Sequence, residues 1–355
     1  MSNAFKIGQH DIGSNNPCYI IAEMSANHLM DEERAHRIVE AAAEAGADAL
    51  KLQTYTPDTI TLNCDDEPFQ ITQGTIWDGT TLHALYEEAY TPWEWQASLK
   101  KHAEDLGMDC FSSPFDLTSV DFLEKIGVEA YKVASFEITD IPLIQSIAKT
   151  GKPIIFSTGI ARLEDIERAL RICRESGNDL ISLLKCVSAY PAPYDEMNLR
   201  TIPNLEETFN VVPGLSDHSL GNEVAIASVA LGAKIVEKHL TLSRSDGGAD
   251  AAFSMEPEEF KSMVDAIRNT EAALGHVSYE LSPKQVKSRE HSRSLFVCEP
   301  IKAGEQFTSN NIRSVRPAFG LHTRYFDDIL GSVASRDLRY GEPLSWDMVI
   351  PSASK

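Results

Sequence analysis

Short apolar runs rich in β-branched residues alternate with longer segments whose apolar positions recur every three or four residues, from Tyr19 to about Leu274. Eight runs carry the strand signature: residues 19–23, 49–53, 109–112, 130–133, 154–157, 180–186, 211–216 and 235–239. Helix signals separate them. Ala35, Ile38, Val39 and Ala42 form one stripe that stops at Gly46, and Thr91-Pro92-Trp93-Glu94 reads as a capping box with proline at the first helical position. Gly107, Gly177 and Gly275 stand where helices should stop. Eight β/α units over about 250 residues predict an α/β chain folded as a (β/α)8 TIM barrel. A doubly wound open sheet has the same local pattern, and the count favours the barrel. The insert at 54–90, with a short helix near 81–88, reads as an active-site loop after the second strand.

After Gly275 the rhythm breaks. Residues 278–290 are polar and read as a linker, and beyond them Ile301-Lys302-Ala303-Gly304-Glu305-Gln306-Phe307 returns as Leu338-Arg339-Tyr340-Gly341-Glu342-Pro343-Leu344. Two similar halves predict one small β-rich domain, and roughly 60 residues make a marginal core unless it leans on the barrel or another chain. The expected boundaries are a barrel over 1–277, a linker over 278–291 and the small domain over 292–351.

Composition narrows the partners. The 355 residues are 43% hydrophobic, enough to fill both cores, and the formal charge of −21 argues against nucleic acid or an anionic membrane, each of which needs a basic face. No run approaches the ~18 apolar residues of a membrane span. Residues 1–13 lack the basic start and apolar stretch of a secretory signal, so a cytoplasmic protein is expected. Cys18, Cys64, Cys110, Cys173, Cys186 and Cys298 form no CxxC pair and read as buried thiols, with no disulfide or structural zinc.

A TIM barrel builds its active site at the C-terminal ends of its strands. The polar residues there are Glu23, Lys51, Gln53, Ser112, Ser113, Lys132, Ser135, Ser157, Thr158, Lys185, Ser216, Asp217, His218, Lys238 and His239. The serines taken singly suit turns and caps. Lys51 and Lys132 lie inside apolar runs, where an unpaired ammonium is costly. Their partner is either Glu23 or Glu137 in a salt bridge, or a substrate carboxylate or phosphate. His218 and His239 close the seventh and eighth strands, neighbours in a barrel, so their imidazoles can converge on one divalent ion with Asp217 and Glu237 nearby. Two protein ligands leave positions open for water and substrate, which suits Mn²⁺ or Mg²⁺. His36, His102, His276 and His322 read as ordinary core or surface residues, with His28 set apart. The polar loop at 242–254, which includes Asp250, follows the eighth strand over the site, and Tyr190 stands in a stiff turn with Pro191 and Pro193. A Schiff-base aldolase using Lys132 or Lys185, and a carbohydrate- or ice-binding protein suggested by the tail, are the rival readings.

The motifs resemble the sialic acid synthase family in order along nearly the whole chain. They are Ile21-Ala22-Glu23 with Asn27-His28, Leu50-Lys51-Leu52-Gln53-Thr54, Ser112-Ser113-Pro114-Phe115, Tyr131-Lys132-Val133-Ala134-Ser135, Ser157-Thr158-Gly159, Tyr190-Pro191, Gly214-Leu215-Ser216-Asp217-His218 and Glu237-Lys238-His239. Residues 292–350, with Arg316-Pro317 before Gly320, look like the antifreeze-like (SAF, β-clip) domain of these enzymes. The resemblance implies condensation of phosphoenolpyruvate with an N-acetylated amino sugar to a 2-keto acid and phosphate. It implies that His218 and His239 bind the metal. Lys51, Lys132, Ser135, Ser157 and Ser216 would hold phosphoenolpyruvate, Glu23, Gln53, Tyr190 and Asp250 would face the sugar or metal-bound water, and Ser113 and Ser188 would also bind substrate. Glu23 or Glu137 would act as base, and Arg316 would reach the partner's site in a domain-swapped homodimer. Met24-Ser25-Ala26 departs from the commonest pattern, as does Ser188 in place of a common asparagine. The run from Gly79 to Trp95 looks like the pseudaminic acid synthase branch of bacterial flagellin glycosylation. The sugar of that branch is 2,4-diacetamido-2,4,6-trideoxy-L-altrose. N-acetylneuraminate and legionaminate synthases are the alternatives.

Overall fold

The computed structural model describes residues 4–13, 16–72 and 74–352; residues 1–3 of the segment searched for a signal lie outside them. The chain divides into two compact units, Met1–Gly275 and His276–Lys355. In the first, eight parallel strands close into a barrel in chain order: Tyr19–Glu23, Ala49–Thr54, Asp109–Pro114, Tyr131–Val133, Ile154–Ser157, Ile181–Cys186, Val212–Asp217 and Ile235–His239. Each begins and ends within two residues of its expected run. The helices that follow them in turn are Glu32–Glu44, Trp93–Asp105, Leu117–Ile126, Ile141–Ala148, Leu163–Glu175, Thr201–Phe209, Glu223–Ala230 and Pro257–Leu274.

Alternation along the strands sorts the side chains. Ile20, Ala22, Leu50, Leu52 and Val236 pack against Ala35, Ile38, Val39, Phe260 and Met263 of the helices, while Tyr19, Ile21, Ala49 and Phe111 belong to a separate apolar cluster. Because the side-chain period is two, a slip of one residue would exchange the faces, so these apolar sets pin the register.

An antiparallel hairpin, Phe5–Ile7 with His10–Ile12, was not legible in the sequence. Its Phe5, Ile7 and Ile12 join Tyr19, Ile21 and Phe111 in one buried cluster. Asp109, at the start of the third strand, accepts from Tyr19 Oη at 2.7 Å and faces His10 Nδ1 at 2.8 Å, and the Gln9 amide reaches it at 3.4 Å. Strand starts line the N-terminal end of a barrel, so the hairpin closes the bottom. Gly8 makes the turn possible: its φ is +50°, and a Cβ there would sit 1.9 Å from Asp109 Oδ1.

Three expectations change. The helix at Trp93 is capped by Pro92 without a side-chain bond, and no capping box forms. The Thr91 hydroxyl instead faces His28 Nε2 at 3.2 Å. His28, whose Nδ1 accepts from the Met30 amide at 3.1 Å, is therefore a satisfied core histidine. The polar linker contains a helix, Pro283–Ser288, capped by Ser282. In the insert, the expected helix is Leu82–Ala89, and a shorter one, Pro57–Ile60, precedes it.

The second unit pairs Ser294–Val297 with Ile312–Val315 and Val333–Ala334 with Val349–Ile350. The two sequence repeats meet each other: Ile301 and Leu338 form an antiparallel bridge, and Phe307 and Leu344, at matching repeat positions, share its core. Among the described residues no helix is long and apolar enough to cross a membrane.

Candidate active site

Register brings the polar strand ends to one level. Glu23 lies beside Lys51 and His239, Gln53 beside Ser113, and Glu237 beside Ser216. Lys51 Nζ stands 2.5 Å from Glu23 Oε2 and 3.3 Å from Ser113 Oγ. Lys132 Nζ donates to Ser157 Oγ at 2.6 Å. Glu237 Oε1 lies 3.7 Å from both ammonium groups and accepts from Ser216 Oγ at 3.4 Å. The chain itself thus supplies anions to the lysines, through Glu23 and Glu237; Glu137 forms no ion pair with either.

Burial sets the protonation of this layer. It pushes the Glu23 carboxyl up to about 7 against the pull of Lys51, and it lowers Lys132. Glu237 stays below the usual carboxylate range because Lys132 and Lys51 outweigh its burial. Glu137, on the turn after the fourth strand, is raised by burial to about 7, and its Oε2 has no hydrogen-bond partner.

The flanking acids divide. Asp217 and Lys238 are both fully buried and bonded to each other at 2.6 Å, with Lys238 also donating to the Ser219 carbonyl at 2.7 Å. Lys238 alternates with Glu237 and His239 along the eighth strand, so this pair faces away from the barrel interior. Asp217 is a structural partner of Lys238.

The rings of His218 and His239 are 5.3 Å apart. His218 Nδ1 faces the Val187 carbonyl at 3.0 Å, which requires a proton on that nitrogen and leaves Nε2 for a ligand. His239 Nδ1 is buried without a partner, and burial together with the charge of His218 and the lysines holds that imidazole neutral. His218 is raised, because Cys186, 3.9 Å away, outweighs its burial. Among the described residues no three His, Cys, Asp or Glu side chains are grouped to hold a metal. Two imidazoles, one with an orphaned nitrogen, fit an ion that takes its other ligands from water or substrate.

Above them lies an aromatic wall. The Tyr190 ring lies tilted against its neighbours, its centroid 4.5 Å from that of His218, 5.1 Å from Phe253 and 5.4 Å from Trp77 of the insert, whose Nε1 donates to the Ala249 carbonyl at 2.8 Å. Gln53 Nε2 donates to Glu23 Oε1 at 3.1 Å and to Ser25 Oγ at 2.9 Å, and Ser25 donates to Asp250. Across the mouth, Ser188 Oγ donates to Ser135 Oγ at 2.9 Å, and the Ile160 amide donates to Ser135 at 2.9 Å. Gly159 leaves this cradle open: a Cβ would meet Ser188 Oγ at 2.2 Å and Ser135 Oγ at 2.7 Å.

Every expected site residue of the barrel unit therefore lies on this set of strand ends and loops, while Arg316 is exposed on the second unit. The reading from sequence missed the contributions of Ser25, Trp77, Gly159 and Phe253, and it set Glu237 beside the histidines without its contact to both lysines. For Glu237 the available signal was a carboxylate one position from Lys238 and two from His239 on a buried strand. For the others only the folded geometry reveals the contact.

Known proteins resemble both units. The NeuB family pattern matches residues 38–279 and the SAF domain pattern residues 292–350. A pseudaminic acid synthase of Campylobacter jejuni subsp. jejuni serotype O:2 is 47% identical over 326 residues, covering 92% of this chain and 95% of that one. A pseudaminic acid synthase of Helicobacter pylori is 46% identical over 332 residues, 93% of this chain and 97% of that one. The crystal structure of an N-acetylneuraminic acid synthetase from Leptospira borgpetersenii, in complex with citrate, superposes with a TM-score of 0.71 at 33% identity, covering 81% of this chain and 95% of that one. With a family match over most of the barrel and relatives of nearly equal length, this chain belongs to the NeuB family.

Proposed function

We propose that the chain is a pseudaminic acid synthase: it joins phosphoenolpyruvate to 2,4-diacetamido-2,4,6-trideoxy-β-L-altropyranose and water, giving pseudaminic acid and phosphate. The observation that carries this reading is the pairing, in one barrel mouth, of a lysine–serine layer with two converging histidines. Identity of 46–47% to pseudaminic acid synthases selects the sugar.

Lys51, Lys132, Ser113, Ser157 and Ser216 hold the carboxylate and phosphate of phosphoenolpyruvate, with Ser135 at the cradle by Gly159. Gln53, Ser188, Tyr190 and Asp250 face the sugar. A divalent ion, Mn²⁺ or Mg²⁺, held by His218 and His239 would supply the Lewis acid that polarises the sugar aldehyde. Once the pyranose ring opens, C3 of phosphoenolpyruvate attacks the aldehyde carbon, the aldehyde oxygen takes a proton from solvent to become a hydroxyl, and water adds to the cation left at C2. Glu137, with one carboxylate oxygen free and a pKa about 7, takes the proton from that water. Glu23 is occupied by Lys51 and Gln53, so it organises the layer rather than serving as the base. The tetrahedral intermediate collapses with C–O cleavage and expels phosphate. The working form is a cytoplasmic, domain-swapped homodimer in which Arg316 of one copy serves the other's mouth, and its product enters flagellin glycosylation.

The test is phosphate release from phosphoenolpyruvate with a panel of aldoses, with and without Mn²⁺. The altrose derivative should be preferred and metal required. Preference for the sugar precursor of N-acetylneuraminate or legionaminate would move the chain to that branch. Failure of every sugar would overturn the synthase reading. Borohydride trapping of pyruvate on Lys132 or Lys185 would replace it with an aldolase.

A further inference from the structure

The turn from the first barrel strand holds a serine where serine is disfavoured. Ser25 has a φ of 45°, in the left-handed region where a Cβ crowds the backbone and glycine is at ease. It is also 2% exposed, so the strained residue sits within the barrel and not in a loose surface loop. Its hydroxyl accepts from Gln53 Nε2 at 2.9 Å and donates to Asp250 Oδ2. Asp250 receives one more bond, from the Ala26 amide at 3.4 Å, and Gln53 continues to Glu23 Oε1 at 3.1 Å. One hydroxyl therefore ties the second strand to the loop after the eighth. Backbone strain persists where surrounding contacts over-determine it, and here those contacts run to two groups that face the sugar in the proposed function.

We infer that Ser25 is a specificity-determining, positioning residue: its hydroxyl sets the orientation of the Gln53 amide and the Asp250 carboxylate, and through them which amino sugar is accepted. This rests on the proposed function. Two substitutions separate backbone from side chain. Ser25→Gly removes both the strain and the hydroxyl, whereas Ser25→Ala keeps the strain and removes only the hydroxyl.

The experiment measures phosphate release by wild type, S25G and S25A, with phosphoenolpyruvate and sugar varied in turn, alongside thermal unfolding. Both variants should raise KM for the sugar about tenfold, as expected for one hydrogen bond to a charged group, while KM for phosphoenolpyruvate stays within about twofold. The ratio of kcat/KM between the diacetamido trideoxy sugar and a 6-hydroxylated N-acetylhexosamine should narrow. S25G should melt at or above the wild-type temperature, a combination that a merely structural serine does not produce; it also carries the test if S25A fails to fold. Unchanged sugar KM, an equal rise for both substrates, or a rise in S25G alone with S25A folded would overturn the inference. Wild type without phosphate release on any sugar would overturn instead the function beneath it.

Discussion

Replacing Glu237 by glutamine removes one negative charge from a buried layer that holds two carboxylates and two ammonium groups. Its Oε1 lies 3.7 Å from both Lys51 and Lys132. At an effective dielectric constant near 20, each pair contributes about 4.5 kcal/mol, about 9 together. Glutamine recovers the several kcal/mol that dehydrating the carboxylate costs, and Lys51 keeps Glu23 as a partner. The remainder is a loss on the order of 3 kcal/mol, within the range for breaking a buried ion pair, and about 5–10 °C in Tm. The deficit should depend on pH with a definite sign. Burial already lowers Lys132 in the folded chain. A base with a depressed folded pKa destabilises while protonated, and this cost fades as pH rises through the folded value. Losing Glu237 lowers that value further, so the gap between variant and wild type should be smaller at alkaline pH than at neutral pH. Phosphoenolpyruvate, which restores the missing charge, should raise the Tm of E237Q more than that of wild type. Thermal unfolding at both pH values, with and without phosphoenolpyruvate, reads all three effects. An E237Q protein that melts with wild type, or a deficit that widens with pH, would refute the electrostatic account of this layer.

Gly8→Ala combines a φ of +50° with a Cβ 1.9 Å from Asp109 Oδ1, and should cost about 2–3 kcal/mol in denaturant unfolding; a loss under half a kcal/mol would show that the hairpin does not depend on this turn. For Glu137, a base must be ionised to act, so kcat/KM should climb as pH rises through about 7. E137Q should be slow and should lack that limb, and a limb that survives assigns the base elsewhere. The same raised pKa means the folded chain favours the neutral acid, so its contribution to stability is present below the ordinary glutamate value and lost as pH rises through about 7. His218→Ala with His239→Ala should abolish turnover while phosphoenolpyruvate still binds in calorimetry; loss of binding too would mean that the histidines and lysines do not divide the work.

The barrel was readable from the chain because eight short, mostly apolar runs alternate with amphipathic helical segments, and most of those runs have a polar residue at or just before their end, a pattern that survives without tertiary information. Strands such as 154–157 and 235–239 were expected at their observed limits. The bottom hairpin was not readable: two strands of three residues carry too little period to register. Thr91-Pro92-Trp93-Glu94 satisfied the letter of a capping box, yet His28 claimed the threonine hydroxyl, a partner 63 positions away. The site followed the same division. Lysines and histidines stood out as costly or paired residues at strand ends. The sorting of Asp217 to a structural bond with Lys238, and of Glu237 to the centre of the lysine layer, depends on which way each side chain faces and needs the closed barrel.

The hairpin beneath the barrel also governs traffic. With the lower end closed by Phe5, Ile7, Ile12 and the Asp109 bonds, the reaction chamber has its strand-end mouth for a door. Lys51 and Lys132 lie deeper in the wall than Asp250 and Tyr190, which are only half-buried at the rim. In the proposed function a sugar seated at the rim would block the way to the lysines behind it. On that reading the anion arrives first and the fragment left on the lysines after bond cleavage waits for the rim to clear, so product-inhibition patterns should be those of an ordered mechanism.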